Sequence, residues 1–143
     1  MERLLGILRH AGTNIKVLHL SGDSFDSGEL STLLQTVGPT LEQLKIMETR
    51  CNDGKWYEVL KIVKELRLKS LELRTLRSPY GGTSGVVSVQ DEGKRICKGF
   101  KGEKGFEHYQ ITYLSAFMLG TQAVEAGLEV VLDYLATHPQ TGM

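Results

Sequence analysis

Three segments of this chain share one spacing of apolar residues. Each has the pattern LxxLxL, and their first residues lie 26 and 27 positions apart. The apolar positions are Ile15, Leu18 and Leu20, then Leu41, Leu44 and Ile46, then Leu68, Leu71 and Leu73. The alternation within each segment predicts a β-strand with one buried face. A constant period predicts that successive units stack side by side.

A second apolar pattern follows the first two segments at a constant distance. Its spacing of i, i+3, i+4 and i+7 is typical of the buried stripe of an amphipathic helix. The stripes are Leu30, Leu33, Leu34 and Val37, then Trp56, Val59, Leu60 and Val63. The same positions one period earlier are Leu4, Ile7, Leu8 and Ala11, which predict a further helix. Asp26, with Glu29 three residues later, predicts a capping box before the first stripe. Asp53 is expected to cap the helix that begins near Trp56.

Strand and helix alternating with a period of roughly 20–29 residues are typical of leucine-rich repeats. We therefore predict a single α/β domain, a short solenoid with parallel strands on its concave side and helices outside. The predicted units are a partial repeat near 1–14, repeats at 15–40, 41–67 and 68–110, and a degenerate repeat at 111–143.

The third unit is enlarged by an irregular insertion at 79–107. Within it, Val86, Val87 and Val89 could form a short strand, and the glycines and lysines around 94–104 predict a mobile surface loop. The degenerate unit rests on two loose matches. Ile111, Leu114 and Ala116 approximate the strand pattern, and Leu128, Val131, Leu132 and Leu135 approximate the helix stripe.

Composition restricts the class of protein. A formal net charge of zero gives no argument for nucleic acid or for a membrane surface. No segment approaches the roughly 20 apolar residues of a membrane span. Two cysteines without metal or redox spacing are typical of a reducing interior, so we expect an intracellular protein of the cytoplasm or nucleus. Glu125, Glu129 and Asp133 form either a solvated helix face or an acidic docking site.

Motifs that would indicate catalysis are absent from the sequence. The four histidines have no metal-ligand spacing, and Ser84 lacks the GxSxG pattern of a hydrolase nucleophile. We expect no enzyme activity, no metal and no other cofactor.

The predicted open face of the sheet offers candidate binding residues, because equal offsets in successive units lie side by side. The sixth offset gives Ser21, Met47, Arg74 and Phe117, residue types that include those favoured in interface cores. His19 is expected on the same face. Lys16, Glu42 and Lys69 form a separate row of alternating charge that we expect to be paired internally.

The segments VLHLSGDSFDSGELSTLLQTVGPTLEQLKI and GKWYEVLKIVKELRLKSLELRTL resemble the degenerate leucine-rich repeats of fungal-like F-box proteins. That resemblance implies substrate recognition in a ubiquitin-ligase context. Because Leu4 already belongs to a predicted repeat helix, we expect no F-box within this sequence.

We thus expect a protein–protein interaction module whose partner the sequence does not identify. The alternative is a truncated or decayed repeat fragment without a partner, and a small enzyme ranks third. Leu4, Ile7 and Leu8 would leave an uncovered apolar end, which predicts a capacity for self-association.

Overall fold

The computed structural model of the protein describes residues 14–79, 85–90, 97–99 and 107–138. The predicted helix at Leu4 to Ala11 lies outside these residues, and so do most of the predicted insertion at 79–107 and most of its lysine-bearing loop at 94–104. Strands are β1 (Val17–Ser21), β2 (Ser24–Phe25), β3 (Gln43–Met47), β4 (Arg50–Cys51), β5 (Ser70–Arg74), β6 (Cys97–Gly99), β7 (His108–Ile111) and β8 (Ser115–Leu119). Helices are α1 (Ser27–Val37), α2 (Trp56–Glu65) and α3 (Thr121–Thr137).

The predicted strands β1, β3 and β5 are neighbours in a six-stranded sheet of order β1-β3-β5-β8-β7-β6. They run parallel, and Leu18 pairs with Leu44, which pairs with Leu71. Residues one sequence period apart therefore lie side by side, as predicted. The alternation is also confirmed, because the apolar positions of these strands are buried while their neighbours are exposed or half-buried.

The chain turns in the same way after each of these three strands. Gly22, Glu48 and Thr75 occupy equivalent positions and all have left-handed backbone conformations, with φ of 71°, 48° and 53°. Glycine adopts this conformation without a steric cost, whereas the other two residues do not. Backbone hydrogen bonds hold the turns together, since Gly22 donates to the carbonyl of Met47 and Glu48 donates to that of Arg74, at 3.2 and 2.9 Å.

A second row of inward side chains lies beyond these turns. β2 and β4 form a two-stranded parallel sheet that places Phe25 opposite Cys51. An isolated bridge between Arg50 and Arg77 extends the same ladder. Ser78 follows at the equivalent position of the third unit and is buried like the other two. The inward row therefore continues into the third unit, although the residue there, Ser78, is polar.

Helices α1 and α2 cover one face of the sheet. Every residue of their predicted stripes is buried and belongs to the same apolar core as the strand leucines. Trp56 at the start of α2 is fully buried, as predicted. Its indole Nε1 donates a hydrogen bond of 2.8 Å to the carbonyl of Arg77, so the first turn of α2 is tied to the loop of the next unit.

The two helix starts differ in how their amides are satisfied. At α1 the predicted bond is present, since Glu29 Oε1 accepts from the backbone N–H of Asp26 at 3.2 Å. At α2 the prediction for Asp53 was wrong, because Lys55 is the residue that precedes the first helical turn. Asp53 instead accepts hydrogen bonds from the backbone of Lys55 and from Ser27 at the start of α1. Asp53, three residues before α2, thus accepts the hydrogen bond from the first turn of the neighbouring helix α1.

The fourth predicted strand differs most from the sequence pattern. Residues 111–116 do not form one parallel strand. β7 ends at Ile111, β8 begins at Ser115, and the two pair antiparallel, as do β8 and β5. Three intervening residues are enough for a hairpin, whereas a parallel return would need a crossover of a dozen or more. The match of Leu114 to LxxLxL is therefore coincidental, and parallel pairing ends at β5.

After the hairpin, α3 resumes the helical layer. The predicted stripe Leu128, Val131, Leu132 and Leu135 is buried. The valine segment of the insertion also contributes to this core, because Val87 and Val89 are buried. Their backbone N–H groups donate to the carbonyls of Leu76 and Tyr113 at 2.7 and 2.9 Å. Residues 85–90 therefore pack between β5 and the hairpin.

Candidate binding surface

The three helices cover one face of the sheet and leave its other face open to solvent. We define the open face by the outward side chains of β1, β3, β5, β7 and β8. These are Val17, His19, Ser21, Gln43, Lys45, Met47, Ser70, Glu72, Arg74, His108, Gln110, Ser115, Phe117 and Leu119. All five predicted site residues are among them.

The structure brings four of those five residues together largely as predicted. Ser21, Met47 and Arg74 are consecutive partners across β1, β3 and β5. His19 lies on the same face of β1, in the next row. Phe117 was predicted for the row of Arg74, and this prediction was wrong because β8 is antiparallel: Ser115 pairs with Arg74, and Phe117 pairs with Glu72.

Exposed apolar side chains are concentrated on β8 and at the edge strand β1. Phe117 is 38% exposed and Leu119 is 37% exposed, and Val17 on β1 reaches 56%. The ring of His108 lies 5.9 Å from that of Phe117, tilted by 47°. Neither Leu119 nor Val17 was predicted as a site residue. The sequence could have indicated Leu119, because it lies two residues after Phe117. In a strand that covers both residues, their side chains lie on the same face.

A shallow depression of about 220 Å³ lies on this face over β8 and its two neighbours, β5 and β7. Its lining is about equally polar and apolar: Leu73 and Ala116 contribute to the apolar part, and the polar part comes from Arg74, Glu72, Gln110, Thr112 and Ser115. Phe117 forms its apolar side. Arg74 and Glu72 are an ion pair at 3.4 Å, and the hydroxyls of Thr112 and Ser115 are 2.7 Å apart. The depression is large enough for the polar end of one side chain and too small for a whole ligand of ordinary size.

The predicted charge row at the start of the strands is paired in part. Lys69 Nζ lies 3.1 Å from Glu42 Oε1. No ion pair involving Lys16 is found in the part of the chain that the structure describes. The backbone carbonyl of Lys16 accepts from Glu42 N at 2.8 Å, so this row mainly joins adjacent strands.

A second concave surface lies on the opposite side of the protein, between α2 and α3. This groove, of about 590 Å³, has cationic side chains on the α2 side and carboxylates on the α3 side. The lining includes Lys61, Lys64 and Arg67, and Glu125, Glu129 and Asp133. Lys64 and Glu129 form an ion pair across it at 3.1 Å. The acidic row of α3 thus faces basic side chains of its own chain, which favours the solvated helix face over an acidic docking site.

The buried thiol of Cys51 and the half-buried carboxylate of Asp53 form the most perturbed titratable pair among the described residues. Burial, and then the hydrogen bond to Asp53, raise the pKa of the Cys51 thiol to about 12. Burial alone would raise the pKa of Asp53, but hydrogen bonds from Ser27, Cys51 and the Lys55 backbone outweigh it and lower that pKa to about 2. A thiol that stays protonated at neutral pH is a poor nucleophile, so this pair fits a structural role.

The described residues contain neither a metal site nor a membrane-spanning helix. Among residues 14–79, 85–90 and 107–138, no three His, Cys, Asp or Glu side chains are close enough together to hold a metal ion. The described helices include none with both the length and the apolar character needed to cross a membrane.

Comparison with protein-family models, with curated proteins and with solved structures finds no match for this chain.

Proposed function

We propose that this protein is a short leucine-rich-repeat solenoid that binds a protein partner through its open face. The observation that supports this most directly is the concentration of exposed apolar and cationic groups there. Phe117 and Leu119 are more than a third exposed, and the side chain of Arg74 is 59% exposed beside them. Aromatic and arginine side chains on an otherwise polar surface are typical of binding hot spots.

The solenoid part of the proposal rests on three periodic features of the backbone. They are the parallel register of β1, β3 and β5, the left-handed residue after each strand, and the second ladder of β2 and β4. In this view the antiparallel hairpin and α3 cover the apolar end of the third unit. The curved sheet of such a protein is where repeat proteins commonly bind partners.

Two further elements of the proposal are supported by the sequence. The resemblance to F-box proteins with leucine-rich repeats supports a partner that is a substrate presented to a ubiquitin ligase. An intracellular location is supported by Cys51, which is a free buried thiol in the structure. Self-association is a further part of the proposal. It would use the uncapped N-terminal end of the repeats, where β1 is the outermost strand of the described sheet.

Site-specific photo-crosslinking tests the proposal. A benzophenone amino acid replaces Met47 on the open face in one variant and Glu58 on the helical side in another. Met47 is half-buried at the end of β3, and Glu58 is exposed on α2, so both positions report on a defined surface. We expect crosslinks to a protein from an extract of the source cells at position 47 and not at position 58.

Three results would contradict or redirect the proposal. Crosslinks of equal yield at both positions would place binding elsewhere. Crosslinks only to a second copy would make the open face a self-association surface. Absence of any crosslink at position 47 would favour a repeat fragment without a partner.

A further inference from the structure

Positive charges outnumber negative charges on the open face, and this excess indicates the chemistry of its partner. Among the outward side chains of the described strands, Lys45 and Arg74 are cationic and Glu72 is the one carboxylate. Glu72 is only 18% exposed and already lies 3.4 Å from Arg74. No ion pair involves Lys45 within the described part of the chain. The face therefore presents more exposed positive than negative charge.

Charged residues beyond the ends of the strands do not reverse this balance. Asp23 follows β1, Glu48 and Arg50 follow β3, and Arg77 follows β5. These four residues lie beyond the carboxyl ends of the three strands, where two carboxylates and two guanidinium groups cancel. The excess positive charge consequently belongs to the sheet surface itself.

Arg74 keeps unused hydrogen-bonding capacity in the depression. Its guanidinium has five N–H donors, and its one ion-pair partner among the described residues, Glu72, lies at the long distance of 3.4 Å. Gln110, an exposed residue in the same depression, adds an amide. Planar guanidinium groups match carboxylates with two parallel hydrogen bonds. A carboxylate is therefore the group that best fits the depression.

An apolar platform lies directly beside the depression. Ser115 is opposite Arg74, and Phe117 and Leu119 follow it at intervals of two on β8. In an extended chain, side chains two residues apart lie roughly 6.5–7 Å from each other on one face. An extended partner could thus place a carboxylate at Arg74 and an apolar side chain on Phe117 in one segment.

We infer that the open face recognises an extended acidic segment of a partner protein, in which an Asp or Glu carboxylate binds Arg74 and an apolar side chain two residues away packs on Phe117 and Leu119. This inference rests on the proposed function and names the partner class of that surface. The acidic group supplies orientation and the apolar group supplies buried area.

A random peptide library provides a test that needs no known partner. Twelve-residue peptides are displayed and selected on the purified full chain, and the strongest binder is synthesised together with its Asp→Asn or Glu→Gln analogue. We expect selected sequences to contain an acidic residue two positions from an apolar one. The amide analogue should bind about tenfold more weakly, the effect of one lost charge-assisted hydrogen bond. Added salt should also weaken binding.

Variants of the protein then locate the bound peptide. Arg74→Ala should weaken the acidic peptide about tenfold and leave the affinity of the amide analogue nearly unchanged. Phe117→Ala should weaken both peptides. Lys61→Ala, which removes a cation on the opposite side of the protein, is the matched control and should alter neither.

The outcomes separate this inference from the proposed function. Peptides that lose affinity on Phe117→Ala but are not acidic, or that bind equally well as amides, overturn the inference and leave the open face as the binding surface. Selection of no peptide, or of peptides insensitive to Phe117→Ala, overturns both.

Discussion

The carboxylate of Asp53 accepts a 2.6 Å hydrogen bond from the hydroxyl of Ser27, a residue 26 positions earlier in the chain. That separation equals the spacing of the first two LxxLxL segments, so the bond joins equivalent points of adjacent units. The same carboxylate accepts from the backbone N–H of Ser27 and from Cys51. Asp53 therefore fixes the first turn of α1 against the following loop, and the periodic packing has a polar contribution as well as an apolar one.

We expect Asp53→Asn to lower the free energy of unfolding by about 1–2 kcal/mol, a range typical of losing a helix cap with a charged acceptor. Asp133→Asn, on the exposed face of α3, is the control and should be nearly neutral. Urea denaturation followed by circular dichroism measures both. Equal stability of the two variants would show that the Ser27 contact contributes nothing.

The same residue predicts a dependence on pH. The pKa of Asp53 falls from 3.8 to about 2 in the folded protein, because hydrogen bonds from Ser27 and Cys51 outweigh the effect of burial. A lowered folded pKa gives stability that is present above 3.8 and is lost as pH falls toward 2. The difference in unfolding free energy between the native chain and Asp53→Asn should therefore shrink as the pH is lowered from 4 to 2. A difference that stays constant would contradict the lowered pKa.

Trp56 gives a test of the apolar packing. It is fully buried and its indole N–H is bonded to Arg77. Trp56→Ala should cost about 3–5 kcal/mol, while Trp56→Phe keeps most of the packing and loses the hydrogen bond. Chemical denaturation measures both variants. The native chain should also show tryptophan fluorescence at short wavelength, and a solvent-like emission maximum would be inconsistent with this packing.

Cys51 should be unreactive in the native protein, because its pKa is raised to about 12 by burial and by its hydrogen bond to Asp53. Cys97→Ser leaves Cys51 as the single thiol. In that variant we expect a thiol reagent at pH 8 to modify Cys51 of the folded protein only as fast as the protein unfolds. In urea, where the protein is unfolded, modification should be immediate. Rapid native-state modification would mean that Cys51 is accessible.

The periodic part of the fold could be predicted because buried leucines must alternate in strands and recur every three or four residues in helices. The positions of Leu18, Leu44 and Leu71 thus predict three things: where each strand lies in the sequence, which of its faces is buried, and which strand pairs with it. The same rule correctly identified Trp56 and the stripe of α3. It also placed Ser21, Met47 and Arg74 in one row.

Strand direction at β8 could not be predicted from that pattern. Alternation of Ala116 and Met118 fits a strand of either direction, and direction depends on the length of the connection to its neighbour. The prediction treated residues 111–116 as one strand, whereas residues 112–114 separate β7 from β8. Phe117 was therefore predicted beside Arg74 and in fact lies beside Glu72. Similarly, the Asp53 to Ser27 contact depends on how two loops meet in space, which residue spacing does not specify.

Gly120 should be intolerant of a side chain. It has φ of +100°, and a Cβ atom there would collide with the side chain of Glu107. We expect Gly120→Ala to lower stability by about 1–3 kcal/mol through backbone strain. Gly28 in α1 has open space around it, so Gly28→Ala should be neutral or stabilise by up to about 1 kcal/mol. Thermal unfolding compares them, and a similar change in both would argue against strain at the junction of β8 and α3.

Binding by the open face should depend on the side chains that can be buried there and not on charges near the strand starts. Phe117 and Arg74 flank one depression on β5 and β8, so truncation of either removes apolar area or a cation from the centre of the surface. Lys16 precedes β1 at the far side of the sheet, where an exposed cation contributes roughly 0–1 kcal/mol. Pull-downs with Arg74→Ala, Phe117→Ala and Lys16→Ala, each first shown to be folded by circular dichroism, should therefore lose the partner in the first two and retain it in the third. Equal recovery by all three variants would exclude the open face as the recognition surface.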